Sequence, residues 1–146
     1  MHSRPNGVIR DEIVCIAQEL TIKWFTSNVP DDTSRDLLFQ DVLILKNAAY
    51  VESFIMYTCL DGIIQLSLMG TRLESRGKGF GSLLLEAFFK HIKQMGFKQI
   101  MVYTVPPDTK PAYAATLRFY QKHGFRIVRR YNELWENGAL QLIKDL

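Results

Sequence analysis

"RGKGFGSLLLEAFFKHI", residues 76–92, places Gly77, Gly79 and Gly81 on alternate positions directly before a strongly apolar run. Glycine is the poorest ordinary residue for a helix interior. Three in a row of alternate sites therefore mark either a simple turn or a place where bare backbone amides must be approached closely. From Phe80 the apolar residues fall at Phe80, Leu83, Leu84, Ala87, Phe88, Ile92 and Met95, the 3.6-residue stripe of an amphipathic helix. Leu85 and Phe89 widen the stripe and predict a well-buried helix. Lys90 and Lys93 suit its C-terminal dipole, and Gly96 supplies a left-handed cap.

On the N-terminal side, "DVLILK" (41–46), "YVESFIMYTC" (50–59) and "IIQLSLMG" (63–70) have strand composition and are separated by short breaks, which predicts an antiparallel meander. "SNVPDDTSRD" (27–36) is the most loop-like stretch. Before it, Ile13, Ile16, Ala17, Leu20 and Trp24 share helical spacing, predicting a helix that begins at Asp11 or Glu12. On the C-terminal side, "FKQIMVYTV" (97–105) predicts a strand ended by Pro106 and Pro107. "DTKPAYAATLRFYQKHG" (108–124) predicts a helix with an Asp/Thr cap and a closing glycine, and "FRIVRRY" and "ALQLIKDL" predict two last strands. The arginines of the first of these sit on an expected exposed face. The order predicts one domain, 1–146, of α/β (α+β) class, with a mixed sheet covered by helices.

Composition excludes several function classes. The 146 residues are 47% hydrophobic and 23% charged, as in an ordinary globular domain. Cys15 and Cys59 lie in apolar stretches, form no CxxC pair, and are expected to be reduced and buried. With only three histidines there is no metal-ligand spacing, so no metal is expected. The start has no apolar signal segment and no run approaches a membrane span, so a cytoplasmic protein with no membrane partner is expected. Charge is uneven: residues 1–70 carry 5 Lys/Arg against 9 Asp/Glu (−4), and residues 71–146 carry 13 against 6 (+7). A basic half suits an anionic ligand, but no nucleic-acid motif accompanies it, and no nucleic-acid partner is expected.

A strand, a glycine loop and a helix N-terminus together make an anion site, because first-turn amides lack intrahelical partners and the dipole is positive there. Arg76 and Lys78 add charge. The P-loop pattern fails, since its required positions hold Arg72 and Gly79. The dinucleotide fingerprint fails at Ser82 or Leu84. R-x-x-G-x-G fits, as Arg76, Gly79 and Gly81.

Here the chain resembles the GNAT superfamily of N-acetyltransferases. "RGKGFGSLLL" is similar to that family's pyrophosphate motif, and "LRFYQKHGFR", about forty residues on, to its second signature; the element order matches over residues 8–146. The resemblance implies a mostly antiparallel sheet with a splayed strand pair holding acetyl-CoA as co-substrate. It implies that amides of Arg76, Gly77, Lys78, Gly79, Phe80, Gly81 and Ser82 wrap the pyrophosphate. Met69, Gly70 and Thr71 would turn strand backbone toward the pantetheine, and Tyr120 would protonate the departing thiolate as an amine attacks the thioester directly. The acceptor would be a small-molecule or peptide amine, and a homodimer is common in the family. Three positions depart from the family pattern. Leu73 replaces a frequent proline, Tyr113 replaces an asparagine that contacts the coenzyme, and Gln65 stands where histone-type enzymes carry a glutamate base. Glu52 is the nearest substitute base, although a strand glutamate ordinarily lies on a solvated face. An acyl-CoA-binding module without turnover, or transfer of a longer acyl group, fits the same motifs.

Overall fold

A computed structural model describes residues 6–21 and 28–146. The predicted position of Trp24 lies outside them. Helix α1 spans Gly7–Leu20 and α2 Val29–Asp36; strands β1, β2 and β3 span Asp41–Lys46, Val51–Leu60 and Ile63–Thr71; α3 spans Phe80–Gln94, β4 Gln99–Thr104, α4 Ala114–Lys122, β5 Arg126–Tyr131 and β6 Ala139–Asp145. The strands form one mixed, mostly antiparallel sheet in the order β1-β2-β3-β4-β6-β5. The predicted class and element order hold, with α2 added. The chain divides into two compact units, Met1–Thr58 with Ser67–His91, and Cys59–Leu66 with Ile92–Leu146.

In the first unit, α1 starts earlier than expected because Asn6 caps it, its Oδ1 accepting from the Ile9 amide at 2.9 Å. The stretch read as a loop is α2. Pro30 sits in its first turn, where a missing N–H costs nothing, and Asp31 and Asp32 face the positive helix end. Asn28 and Arg35 bond the Asp32 carboxylate and lower its pKa. Ile13, Ile16 and Leu20 of α1 meet Leu37 and the strand residues Val42, Val51, Phe54 and Met56 in one core cluster. Burying each large aliphatic side chain there is worth roughly 1.5–3 kcal/mol. β1 and β2 are antiparallel from Asp41–Tyr57 onward. The β2–β3 turn, Asp61 (φ 54°) and Gly62 (φ 76°), falls in the second unit and is a primed hairpin turn.

The expected stripe of α3 is rotated. Leu84, Leu85, Phe88, Phe89 and Ile92 are buried, whereas Leu83 and Met95 are more than half exposed and Ala87 is also exposed. Phe88 packs on Tyr57 with ring centroids 5.0 Å apart. The cysteine expectation also fails in part. Both thiols are free but exposed, Cys15 on the outer face of α1 and Cys59 beyond the buried part of β2.

In the second unit, β4 pairs with β6 along its whole length, Gln99–Asp145 to Thr104–Leu140. Its parallel ladder with β3 is shorter, three pairs from Ile64–Ile100 to Leu66–Val102. The 108–124 segment opens with a 3₁₀ turn, Pro111–Tyr113, before α4 begins. The expected Asp/Thr cap does not form: the Thr109 hydroxyl has its single proton between the carbonyls of Pro106 (2.9 Å) and Asn137 (2.8 Å), and Asp108 pairs with Arg130 at 3.0 Å. All of β5 except Tyr131 is exposed, as the arginine pattern predicts.

Candidate functional site

β3 ends at Thr71, and the chain makes a 3₁₀ turn at Leu73–Ser75 before Arg76 extends it again (φ −71°, ψ 155°). Gly77 (φ 77°) and Gly79 (φ 82°) then take the left-handed region, which glycine enters without the steric cost of a Cβ. A Cβ on either would meet nothing within 4 Å, so both glycines answer to backbone conformation and open space, not to packing. Gly81 differs. It lies inside α3 and is not among the positive-φ glycines, so no turn requires it. At the start of α3 the Leu83 amide donates to the Gly79 carbonyl at 3.0 Å, so the helix grows directly out of the glycine turn. Arg76, Gly77, Lys78 and Gly79 are exposed. The Arg76 guanidinium nonetheless loses enough hydration to nearby protein to lower its pKa. Open glycines, two cations and a helix N-terminus fit a phosphate group.

The entry to this turn is held by groups to which the sequence assigns no such role, Glu52 being read only as a candidate base. The Arg72 side chain donates from Nε and Nη2 to the Val51 carbonyl at 3.1 and 3.0 Å and lies 4.4 Å from the Tyr50 ring centroid. The Arg72 amide donates to the Glu52 carbonyl at 2.8 Å, and the Leu73 amide to the Glu19 carboxylate at 3.3 Å. Glu52 is not on a solvated face. Its Oε1 accepts from Asn47 and from buried Ser75, both at 3.3 Å, which ties the β1–β2 turn to the segment leading into the glycines. These are contacts between residues 20 or more positions apart (Asn47 excepted), and no local pattern announces them.

On β3, the Ser53 hydroxyl donates to the Gly70 carbonyl at 3.1 Å and lies 2.9 Å from the Thr71 hydroxyl. Gly70 is buried, and a Cβ there would sit 2.8 Å from Leu20 Cδ1 and 3.0 Å from Phe54 Cε1. Close packing of α1 and β2 on β3 thus requires that glycine whatever else it does. Met69 and Thr71 are half-buried.

Tyr120 belongs to the second unit, while residues 69–71 and 76–82 belong to the first. It sits near the end of α4, which closes on Gly124 (φ 93°) with the Phe125 amide returning to the Tyr120 carbonyl at 3.1 Å. Tyr120 is 7% exposed and makes ring contacts with Phe119 (5.7 Å) and Phe125 (5.3 Å, edge-on). Burial pushes its phenol pKa well above the usual value, and nearby Tyr113 adds to the rise. Tyr113 itself is pushed up to about 12 by burial. Such a phenol stays protonated at neutral pH and is a donor, never a base. His123 closes the helix and packs edge-on against Phe119 at 4.9 Å.

Among the described residues, no group of three or more His, Cys, Asp or Glu could hold a metal ion, and no helix is long and apolar enough to cross a membrane. The model of the acetyltransferase (GNAT) domain matches residues 40–127. No curated protein sequence matches the chain. Similar solved structures include the ribosomal-protein-S18-alanine N-acetyltransferase from Escherichia coli (13% identity, TM-score 0.78, 99% of this chain and 92% of that one). An aminoglycoside 6'-N-acetyltransferase complexed with coenzyme A gives 13% identity and a TM-score of 0.74 over 99% and 96% of the two chains. A GNAT family acetyltransferase from Elizabethkingia anophelis with acetyl-CoA bound gives 19% and 0.67 over 87% and 88%. At these identities the likeness is one of fold.

Proposed function

Because the chain belongs to the GNAT acetyltransferase family, we propose that it is an N-acetyltransferase moving the acetyl group of acetyl-CoA to a primary amine by direct attack in a ternary complex. The observation that carries this reading is the turn before α3, where two exposed left-handed glycines and two cations lead into a helix whose first turn holds a third glycine, Gly81, with no backbone need for it. In this reading the amides of residues 76–82 take the coenzyme pyrophosphate, Arg76 and Lys78 supply charge, and Met69, Gly70 and Thr71 offer strand backbone to the pantetheine. Both units act together as one GNAT domain.

Tyr120 then donates its phenolic proton to the sulfur as the C–S bond breaks; the neutral amine nitrogen forms the new C–N bond and releases its proton to solvent, from which the Tyr120 phenolate is reprotonated. No residue is assigned as base: Gln65 cannot take a proton, and Glu52 is engaged in holding the loop entry. The names of structural neighbours cover a ribosomal-protein alanine and an aminoglycoside, so small-molecule and peptide amines are both in scope here. One observation favours a second reading, an acyl-CoA-binding module without turnover: Tyr120 is buried among aromatic rings, as a core residue would be. The two are separated by thiol release from acetyl-CoA across a panel of small amines and peptide N-termini. Transfer requires release that depends on one class of amine and matches the acetylated product mole for mole. Binding without amine-dependent release supports the module.

A further inference from the structure

Trp135 lies in the loop between β5 and β6, is 49% exposed, and takes a left-handed backbone (φ 82°). A bulky side chain rarely enters that region, because its Cβ crowds the following carbonyl. Here the loop is braced so that it does. On one side the Arg130 guanidinium bonds Asp108 at 3.0 Å and Asn132 Oδ1 at 3.1 Å. On the other the Asn137 carbonyl lies 2.8 Å from the Thr109 hydroxyl, and the Gly138 amide donates to the Trp135 carbonyl at 3.2 Å. Polar bonds at both ends thus hold a large ring in a strained, half-exposed position, where burial would be the ordinary outcome.

The ring belongs to a cluster. Tyr103 of β4 meets Trp135 with centroids 6.1 Å apart and Tyr131 of β5 at 6.2 Å, both at 68°. A cation already uses this cluster: the Arg129 guanidinium lies 4.7 Å from the Tyr131 ring centroid. Indole attracts a cation more strongly than phenol does. The charge of the loop agrees. Residues 131–138 contain Glu133 and Glu136, both exposed, and no Lys or Arg, within a half of the chain that carries 13 Lys/Arg against 6 Asp/Glu. A ring flanked in the chain by two carboxylates suits a ligand with a positive head and a methylene stem, the head drawn by charge and the stem packed on the ring. An anion would meet like charge there.

We propose that the β5–β6 loop is a binding site for an organic cation, an ammonium or guanidinium group seated on the Trp135 indole and attracted by Glu133 and Glu136. The site is built from the second unit alone, and it stands whether or not the chain transfers acetyl groups. Two sources share that chemistry, a small polyamine and a lysine- or arginine-bearing peptide.

The test is an NMR titration of the isotope-labelled protein with three probes. They are 1,4-diaminobutane, a lysine tetrapeptide capped at both ends, and 1,4-butanediol, which keeps the diamine's chain without its charge. The cations should shift, with saturation, the Trp135 indole N–H (the signal missing from Trp135→Leu) and amides of residues 131–138; the diol should shift neither. The tighter of the two cations names the source. Trp135→Leu, read on those amides, should bind the diamine about two- to fivefold more weakly, the range of one exposed cation–ring contact. A Glu133→Gln, Glu136→Gln double variant should lose affinity at low salt and little near ~1 M. Both positions are exposed, so this variant keeps the test decisive even where Trp135→Leu does not fold. No saturable shift with either cation overturns the proposal. So does equal binding of the diol, which would make the surface simply apolar. Unchanged cation binding in a folded Trp135→Leu protein, or in the glutamine variant, overturns it as well and leaves Trp135 a structural residue.

Discussion

Arg76, Gly77, Lys78 and Gly79 are all exposed, and a side chain on either glycine would meet open space. Tyr120 is 7% exposed, and two aromatic rings pack against it. The first region can act only through backbone and charge, so it should respond to conformation and salt. The second can act only through a proton that burial keeps in place, so it should respond to removal of one oxygen and to high pH. Binding and chemistry therefore ought to fail separately when each region is altered.

The largest expected effect is on chemistry. Tyr120→Phe keeps the ring and its packing. The leaving thiol, with an ordinary thiol pKa of about 8.5, needs only modest help. kcat should fall roughly ten- to a hundredfold, at or below the lower end of general-acid contributions, with acetyl-CoA affinity near normal. An unchanged kcat under conditions where the chemical step limits turnover would return Tyr120 to the core. Equal loss of coenzyme affinity would merge the two regions into one binding surface.

A smaller effect should sharpen the contrast within the turn. Gly81 needs no unusual backbone, so Gly81→Ala should leave the melting temperature unchanged or raise it, since alanine is favoured over glycine in a helix by up to ~1 kcal/mol. If Gly81 is there for close approach of a phosphate, coenzyme affinity should still drop several-fold. A variant that is both stabilised and unaffected in binding would show Gly81 to have no ligand role. Arg76→Ala should weaken acetyl-CoA by a few-fold at low ionic strength and by less near 1 M salt, where screening is nearly complete over a few ångströms. Equal loss at both would make Arg76 a structural residue.

The smallest effect is on stability. Burial raises the pKa of Tyr120 and lifts that of Tyr113 to about 12. Above the unfolded value of about 10 the unfolded chain releases these protons and the folded chain keeps them, so the unfolded state binds fewer protons and stability falls as pH rises. The contribution is fully present below pH 10 and is lost through the window from 10 to about 12 and above. Tyr120→Phe should flatten that decline by at most about 1.4 kcal/mol per pH unit, measured by urea unfolding at pH 9 and pH 11.

Both regions were legible in sequence, but to different depths. The glycine turn announces itself because positive φ leaves a compositional trace, and Gly77 and Gly79 occupy it as expected. The six strands were legible from β-branched and aromatic runs, and the β2–β3 turn from Asp61-Gly62. What went unseen depends on partners distant in the chain. α2 carries a helix-start signature in Pro30, Asp31 and Asp32, but only Pro30 and Thr33 are buried, too few to set up a periodic stripe. The face of α3 shifted because periodicity gives a stripe's width better than its centre, and Leu85 and Phe89 lie nearer that centre than Leu83 and Met95. Arg72, Glu52 and Ser75 support the turn through contacts 20 to 23 positions apart, which no local pattern encodes. The Tyr120 motif was visible, yet its burial and its Phe125 contact emerge only when α4 closes back on Gly124.

The central claim is that the turn at residues 76–82 is an anion cradle for the coenzyme, and parallel calorimetric titration of acetyl-CoA into wild type and Gly79→Val tests it most directly. Valine at φ 82° is strained, and its branched side chain fills the open space above the turn. The account predicts one coenzyme bound per wild-type chain and at least tenfold weaker binding by the variant, a loss of about 1.4 kcal/mol, with circular dichroism showing that the fold is kept. A folded Gly79→Val protein that binds acetyl-CoA as tightly as wild type would contradict it.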